Sequence, residues 1–262
     1  MSASVLDRIL TDKRSRLSRG EYAPTATAAR ASDGAAFTAS LRAPGRRIIA
    51  EIKARSPSAG EIVAGADGKV EGLALAYRRG QAAAISIVTE EDHFGGRPDW
   101  LPRAKRISGL PALMKDFFVS ERQLDFAVSL GADAVLLIVR ALSDGELEAL
   151  RSGARERGLA VLVEAHDAAE VARAAAVSPD AIGINARDLD TFRTDLDAVG
   201  ILARSIPEGS VRVAESGIRG RSDVDRLAAA GFSAFLVGES LLRSRDPAAA
   251  LRELGSSIEG AA

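Results

Sequence analysis

Two lysines and three glutamates stand where short apolar runs of the chain stop. Glu51-Ile52-Lys53 closes the run Ile48-Ile49-Ala50, Lys115 follows Leu113-Met114, Glu164 follows residues 161–163, and Glu215 follows Val213-Ala214. A charge this close to a core is tolerated when it is paired with another charge or holds a ligand. Strand side chains alternate between faces, so Glu51 and Lys53 point the same way. The kinked, hydroxyl-bearing stretch Ser56-Pro57-Ser58 comes next. Opposite charges on one face beside such a loop read as the mouth of a site for an anionic ligand. A ring of salt bridges closing the mouth of a barrel is the competing reading.

The other strand ends carry Thr89, Arg140, Asn185 with Arg187, and Gly238. Two of these places resemble a phosphate cradle. Glu215-Ser216-Gly217-Ile218 follows the seventh apolar run, and Gly238-Glu239-Ser240 follows the eighth. Glycine lets backbone approach a ligand closely, and helix starts aim free N–H groups at an anion. Glu239 is expected to contribute only its backbone N–H and to point away. Residues 89–96 are acidic and then aromatic. Neighbouring side chains diverge along a chain, so Glu90, Glu91, Asp92 and His93 do not read as a metal site. Phe94 is the better candidate, as an apolar wall for a flat ligand. His93 reads as a solvated loop residue, His166 as a packing or capping residue, and Trp100 as the anchor of the helix that follows it.

The elements that must position these residues alternate. Strand-like runs cover residues 48–52, 84–88, 112–114, 134–139, 160–163, 181–184, 211–214 and 234–237. Between them lie segments with helical spacing, including residues 70–79, 121–130, 144–157, 168–176, 223–230 and 247–254, with Gly80, Gly131, Gly158 and Gly231 as stop signals. Runs with little polar alternation suit parallel strands covered on both faces. Eight such strands with intervening helices predict an α/β fold, a (β/α)8 barrel whose site lies at the C-terminal strand ends. An open doubly wound sheet is disfavoured because no G-x-G-x-x-G follows the first strand. Residues 1–44 read as an N-terminal helical extension packed on the barrel, with an amphipathic helix over 5–19 and a small-residue connection over 23–36. Residues 45–262 read as one catalytic barrel.

Composition narrows the class. The chain has 262 residues, 47% hydrophobic and 27% charged, with a formal net charge of -1. That profile is ordinary for a globular protein and gives no reason to expect nucleic acid. Cysteine is absent, which removes thiol nucleophiles, disulfides and zinc–thiolate sites, and only two histidines occur. No secretory leader and no apolar run of ~18 residues is found, so a cytoplasmic metabolic protein without membrane contact is expected.

Seven segments in this order resemble indole-3-glycerol phosphate synthase, a (β/α)8 family of tryptophan biosynthesis. They are Glu51-Ile52-Lys53 with Ser56-Pro57-Ser58, Val88-Thr89-Glu90 with Phe94-Gly95-Gly96, Lys115-Asp116-Phe117, Val163-Glu164-Ala165-His166, residues 183–189, residues 214–218 and residues 237–241. The resemblance implies a reaction on a phosphorylated anthranilate–ribulose adduct, 1-(2-carboxyphenylamino)-1-deoxyribulose 5-phosphate. Ring closure, decarboxylation and dehydration give indole-3-glycerol phosphate, carbon dioxide and water, with no cofactor or metal. It implies a catalytic set of Glu51, Lys53, Lys115, Glu164, Asn185, Glu215 and Ser216. Lys115 would protonate the ribulose carbonyl, made more acidic by Lys53. Lys53 would protonate the leaving hydroxyl, and Glu51 or Glu164 would take the remaining proton. Arg187 would face the anthranilate end, and Phe94, Phe117 and Leu189 would line the aromatic pocket. Ser56, Gly217, Gly238, Glu239 and Ser240 would hold the phosphate, with Lys53 between the two ends. Arg97 departs from the family pattern, where serine is usual, and is expected to lie in solvent. A monomer is expected, with a weak dimer as the alternative. An isomerase of phosphoribosyl anthranilate and a non-catalytic phosphosugar binder are the competing functions.

Overall fold

The computed structural model describes residues 4–24, 32–188 and 193–255. Eight parallel strands close into a barrel: β1 (Arg47–Ile52), β2 (Ala84–Val88), β3 (Ala112–Lys115), β4 (Ala134–Ile138), β5 (Ala160–Ala165), β6 (Ala181–Asn185), β7 (Val211–Glu215) and β8 (Ala234–Val237). Each strand pairs with its sequence neighbour, and β1 also pairs with β8, Ala50 opposite Val237. The apolar runs are buried almost end to end, as strands covered on both faces must be.

The helices are α1 (Val5–Ser18), α2 (Gly34–Arg42), α3 (Val70–Arg79), α4 (Trp100–Ser108), α5 (Glu121–Leu130), α6 (Asp144–Glu156), α7 (Ala168–Ala176), α8 (Leu196–Leu202), α9 (Arg221–Ala229), α10 (Glu239–Leu242) and α11 (Pro247–Gly255). Local chemistry sets their ends. Ser143 and Glu146 form a capping box on α6, and Asp167 caps α7. Gly131 ends α5 in a left-handed conformation that side chains avoid. Trp100 opens α4 from inside the helix; its ring is buried and its Nε1 donates to Asp67 Oδ1 at 2.8 Å. No helix among the described residues is long and apolar enough to cross a membrane.

One element departs from the sequence reading. Residues 34–42 form α2, whose first three residues fall within the small-residue connection expected over 23–36. Asp33 caps it, and Phe37 and Leu41, one turn apart, are its buried residues besides Gly34. The Gly34 N–H donates to the Gly158 carbonyl at 3.0 Å, and a Cβ at Gly34 would overlap the backbone there. The helix α1 is amphipathic as expected, with Leu6, Ile9 and Leu10 buried.

Candidate active site

The cavity at the C-terminal ends of the strands has a volume of about 710 Å³. That is the usual size of a small-molecule site. The expected residues Glu51, Lys53, Ser56, Phe94, Lys115, Phe117, Glu164, Asn185, Arg187, Glu215, Ser216, Gly217, Gly238, Glu239 and Ser240 all line it. Leu189 lies outside the described residues. Thr89 and Arg140, also at strand ends, turn elsewhere, toward Asp116 and Glu170.

The charges form two groups. Lys53 Nζ sits 2.6 Å from Glu51 Oε1. Lys115 Nζ lies between Glu164 Oε2 at 3.2 Å and Glu215 Oε2 at 3.1 Å. Glu51 and Lys53 stand at the end of β1, and Lys115, Glu164 and Glu215 at the ends of β3, β5 and β7, so the barrel gathers five residues from four strands. Glu51, Glu164 and Glu215 are buried, and that is stable because each carboxylate has an ammonium partner.

Their proton affinities diverge. Burial opposes the Lys115 charge, but Glu215, Glu164 and Glu51 together outweigh it and raise its pKa. The expectation that Lys53 makes Lys115 more acidic is therefore corrected. Lys53 is neutralised by Glu51, while carboxylates from three strands surround Lys115. Burial also works against the charge of Glu164, yet Lys115, His166 and the Asn185 amide hold its pKa low. Glu215 goes the other way, to about 7, chiefly through burial and its closeness to Glu164. Its Oε1 has no hydrogen-bond partner among the described residues, and a Cβ at Gly183 would overlap that atom. Two carboxylates sharing one lysine thus settle into different protonation preferences.

Asn185 orients Glu164. Its Nδ2 donates to Glu164 Oε1 at 3.1 Å, and its Oδ1 accepts the Arg187 backbone N–H at 3.0 Å. The Arg187 guanidinium meets Ser58 Oγ and lies 3.9 Å from Glu239 Oε2, beside the glycine loops. Glu239 is also paired with Arg243 Nε at 3.0 Å, which offsets its charge at that end.

Ser216 and Gly217 both have positive φ, 64° and 73°. For Ser216 this is an uncommon conformation, held at the cavity wall. A Cβ at Gly238 would lie 2.5 Å from Glu51 Oε1, so that glycine makes room for a buried carboxylate. Ser240 Oγ donates to the Ile218 carbonyl at 2.9 Å and ties the two loops together. Ser56 Oγ accepts from the Ala59 N–H at 3.1 Å and lies 3.2 Å from Ser58 Oγ. These serines offer backbone and shape more than free hydroxyls.

Phe94 and Phe117 form the apolar wall, ring centroids 6.1 Å apart. The acidic residues of 89–96 do not converge on a point. Glu90 accepts the backbone N–H groups of Asp92, His93 and Phe94, Glu91 and Asp92 pair with Arg16, and His93 pairs with Asp12 at 2.9 Å. Arg97 is half exposed and pairs with Asp99 at 2.8 Å, clear of the cavity.

Sequence reasoning missed the support beneath this wall. Lys13 of α1 is 1% exposed, with its Nζ 2.7 Å from Asp116 Oδ1 and 3.7 Å from Glu90 Oε1. Asp116 also accepts from Thr89 Oγ1 at 2.9 Å and from the Phe117 N–H at 2.7 Å. The signal was present, because Lys13 falls on the stripe Leu6-Ile9-Leu10-Lys13 at helical spacing.

Strand-end lysines and glutamates with unequal proton affinities, beside two glycine loops, define an acid–base enzyme of the (β/α)8 class. Comparison with known proteins makes this specific. The family described as "Indole-3-glycerol phosphate synthase" matches residues 6–254. An indole-3-glycerol phosphate synthase of Koribacter versatilis is 47% identical, over 80% of each chain. "Indole-3-glycerol phosphate synthase 2" of Streptomyces coelicolor is 45% identical over 92% of this chain and 93% of the relative. The chain belongs to the indole-3-glycerol phosphate synthase family. It is accordingly a decarboxylating carbon–carbon lyase of tryptophan biosynthesis. Solved structures share the barrel at low identity. A 3-hexulose-6-phosphate synthase matches with TM-score 0.64 at 17% identity, covering 79% of this chain and 97% of its own. Orotidine 5'-phosphate decarboxylase from Pyrococcus horikoshii OT3 matches with TM-score 0.62 at 14% identity, covering 82% of this chain and 100% of its own.

Proposed function

We propose that the cavity binds 1-(2-carboxyphenylamino)-1-deoxyribulose 5-phosphate lengthwise and that the two lysine–glutamate groups act in succession on it. The observation that carries this reading is the Lys115 ammonium, 3.2 Å from Glu164 and 3.1 Å from Glu215, facing the same cavity as the Lys53–Glu51 pair. The phosphate lies against Gly217, Gly238, loop one at Ser56 and the backbone of residues 239–240. Arg187 spans from Ser58 toward Glu239 over that end. The aromatic ring lies against Phe94 and Phe117.

The aromatic carbon bearing the carboxylate attacks the ribulose C2 carbonyl, and Lys115 gives its proton to the carbonyl oxygen. The surrounding carboxylates keep Lys115 protonated before the attack, so its charge draws the carbonyl electrons until the proton passes. The carboxylate leaves as carbon dioxide, and its electron pair restores the ring. Lys53 then protonates the new hydroxyl, which departs as water. Glu164 accepts the proton lost in forming the indole double bond. Glu164 suits the base because it is held ionised between Lys115 and Asn185. Glu51 instead has Oε1 engaged with Lys53 and packs beneath Gly238. Glu215 and Ser216 hold Lys115 and the sugar in place.

The test follows indole fluorescence and carbon dioxide release with the carboxyphenylamino ribulose phosphate. Glu164→Gln is expected to lower turnover by ~10²–10⁴-fold, the usual weight of a general base. Near-normal turnover in that variant would move the base to Glu51. The protein is proposed to work as a cytoplasmic monomer. Among the described residues the exposed large hydrophobic side chain is Ile201, and a single such residue does not make an interface. Light scattering that gives a dimer mass would overturn this.

A further inference from the structure

We infer that His166 is a positioning residue for Glu164, its Nε2–H holding the carboxylate that faces Lys115 while Glu170 and Arg140 hold the imidazole. The inference rests on the reading of Glu164 as the base. His166 follows β5 directly, and its side chain is 5% exposed. Its backbone N–H donates to Glu170 Oε2 at 2.8 Å, and its Nδ1 lies 3.0 Å from the same oxygen. Glu170 Oε1 in turn accepts from Arg140 Nε at 2.8 Å. The other ring nitrogen, Nε2, is buried and has no hydrogen-bond partner among the described residues. It sits 3.5 Å from Glu164 Oε1.

That arrangement selects a protonation state. With Nδ1–H directed at Glu170, a neutral ring would turn a lone pair toward the Glu164 carboxylate. Only the imidazolium turns an N–H toward both carboxylates. The charges around the ring come from every neighbouring strand end. Glu164 lies on β5, and Glu170 and Asp167 on α7 and its cap. Arg140 follows β4, with Asp188 beyond β6 at 3.6 Å from it, and Lys115 of β3 stands across Glu164. Burial and Arg140 act against the ring's charge. The Glu170 and Glu164 carboxylates outweigh them and raise its pKa. Charges therefore alternate from cavity to loop: Lys115, Glu164, His166, Glu170, Arg140. A fixed cation behind Glu164 keeps its carboxylate ionised and aimed at the substrate.

The chain has two histidines, so its histidine NMR spectrum is simple, and His93→Gln assigns the pair. In the intact protein His166 is expected to titrate above the ordinary value of 6.5. Its midpoint should fall by about half a unit or more in Glu164→Gln and again in Glu170→Gln. In kinetics, His166→Asn should lower kcat on the order of tenfold with KM within about twofold. It should also move the acid limb of the kcat profile upward, because Glu164 loses the cation beside it. An unchanged His166 midpoint in Glu164→Gln would overturn the inference, as would an unmoved acid limb in His166→Asn. The titration needs no substitution of His166 itself, so it decides the matter if His166→Asn fails to fold. An active Glu164→Gln would sink the base assignment alone, since the midpoint shift still measures the pairing.

Discussion

At the scale of the residue, the site works by giving chemically similar groups different surroundings. Lys115 and Lys53 are both ammonium groups, but one is flanked by two glutamates and the other is clasped by Glu51. Replacing Lys115 by alanine should lower turnover by ~10²–10⁴-fold in the indole-fluorescence assay, and near-normal turnover would remove it as the acid. Glu215 gives a pH prediction. Its carboxyl is pushed up to about 7 in the folded state by burial and Glu164. An unfolded glutamate titrates near ~4.3, so between that value and the folded one only the folded state holds the proton. Its stabilising contribution is complete below the unfolded value and declines as pH rises through the folded one. Glu215→Gln lacks that proton, so its stability relative to wild type should rise between pH ~5 and ~8, read by thermal melts at both. A difference that does not change with pH would contradict it. None of these affinities was legible in the sequence, because they depend on carboxylates that converge from strands far apart in the chain.

At the scale of the element, the strand ends and their loops decide who meets whom. The barrel strands were legible because each is a short apolar run, most of them stopping at a polar residue, and the observed bounds differ by at most two positions. The helix α2 was not. Only Phe37 and Leu41 among its residues are large and apolar, and its stability comes from docking at Gly158. The Gly238 turn was read as room for a phosphate, whereas its closeness to Glu51 depends on the pairing of β1 with β8. Gly238→Ala should therefore displace Glu51 and lower kcat by about tenfold or more, with activity at saturating substrate as the readout. Substrate binding weakened with kcat unchanged would indicate that the glycine serves only the phosphate. Lys13 makes a parallel case in α1. Lys13→Ala leaves Asp116 buried and unpaired, and urea unfolding should report a loss of about 3–5 kcal/mol. A loss under ~1 kcal/mol would show that water replaces the lysine.

At the scale of the whole molecule, the N-terminal extension and the barrel are joined by buried polar contacts. Asp133, buried at the start of β4, accepts from the Asp33 and Ala112 N–H groups at 2.8 Å each and from Lys105 Nζ at 2.7 Å. The Asp33–Asp133 bond before β4 and the Lys13–Asp116 pair after β3 tie two parts of the extension to the barrel. We propose that residues 1–44 and 45–262 unfold together. Calorimetry should give one transition, and two resolved transitions would separate them. Closure of the barrel has a further consequence, for synthesis on the ribosome. The strand-end residues from Glu51 to Ser216 are all translated before β8, yet β1 has no partner on one side until β8 arrives, and Glu51 lacks the Gly238 turn that roofs it. A nascent chain stopped short of β8 carries these residues on a sheet with two open edges, exposed to aggregation. The arrival of β8 both seals the barrel and closes the cavity wall over Glu51.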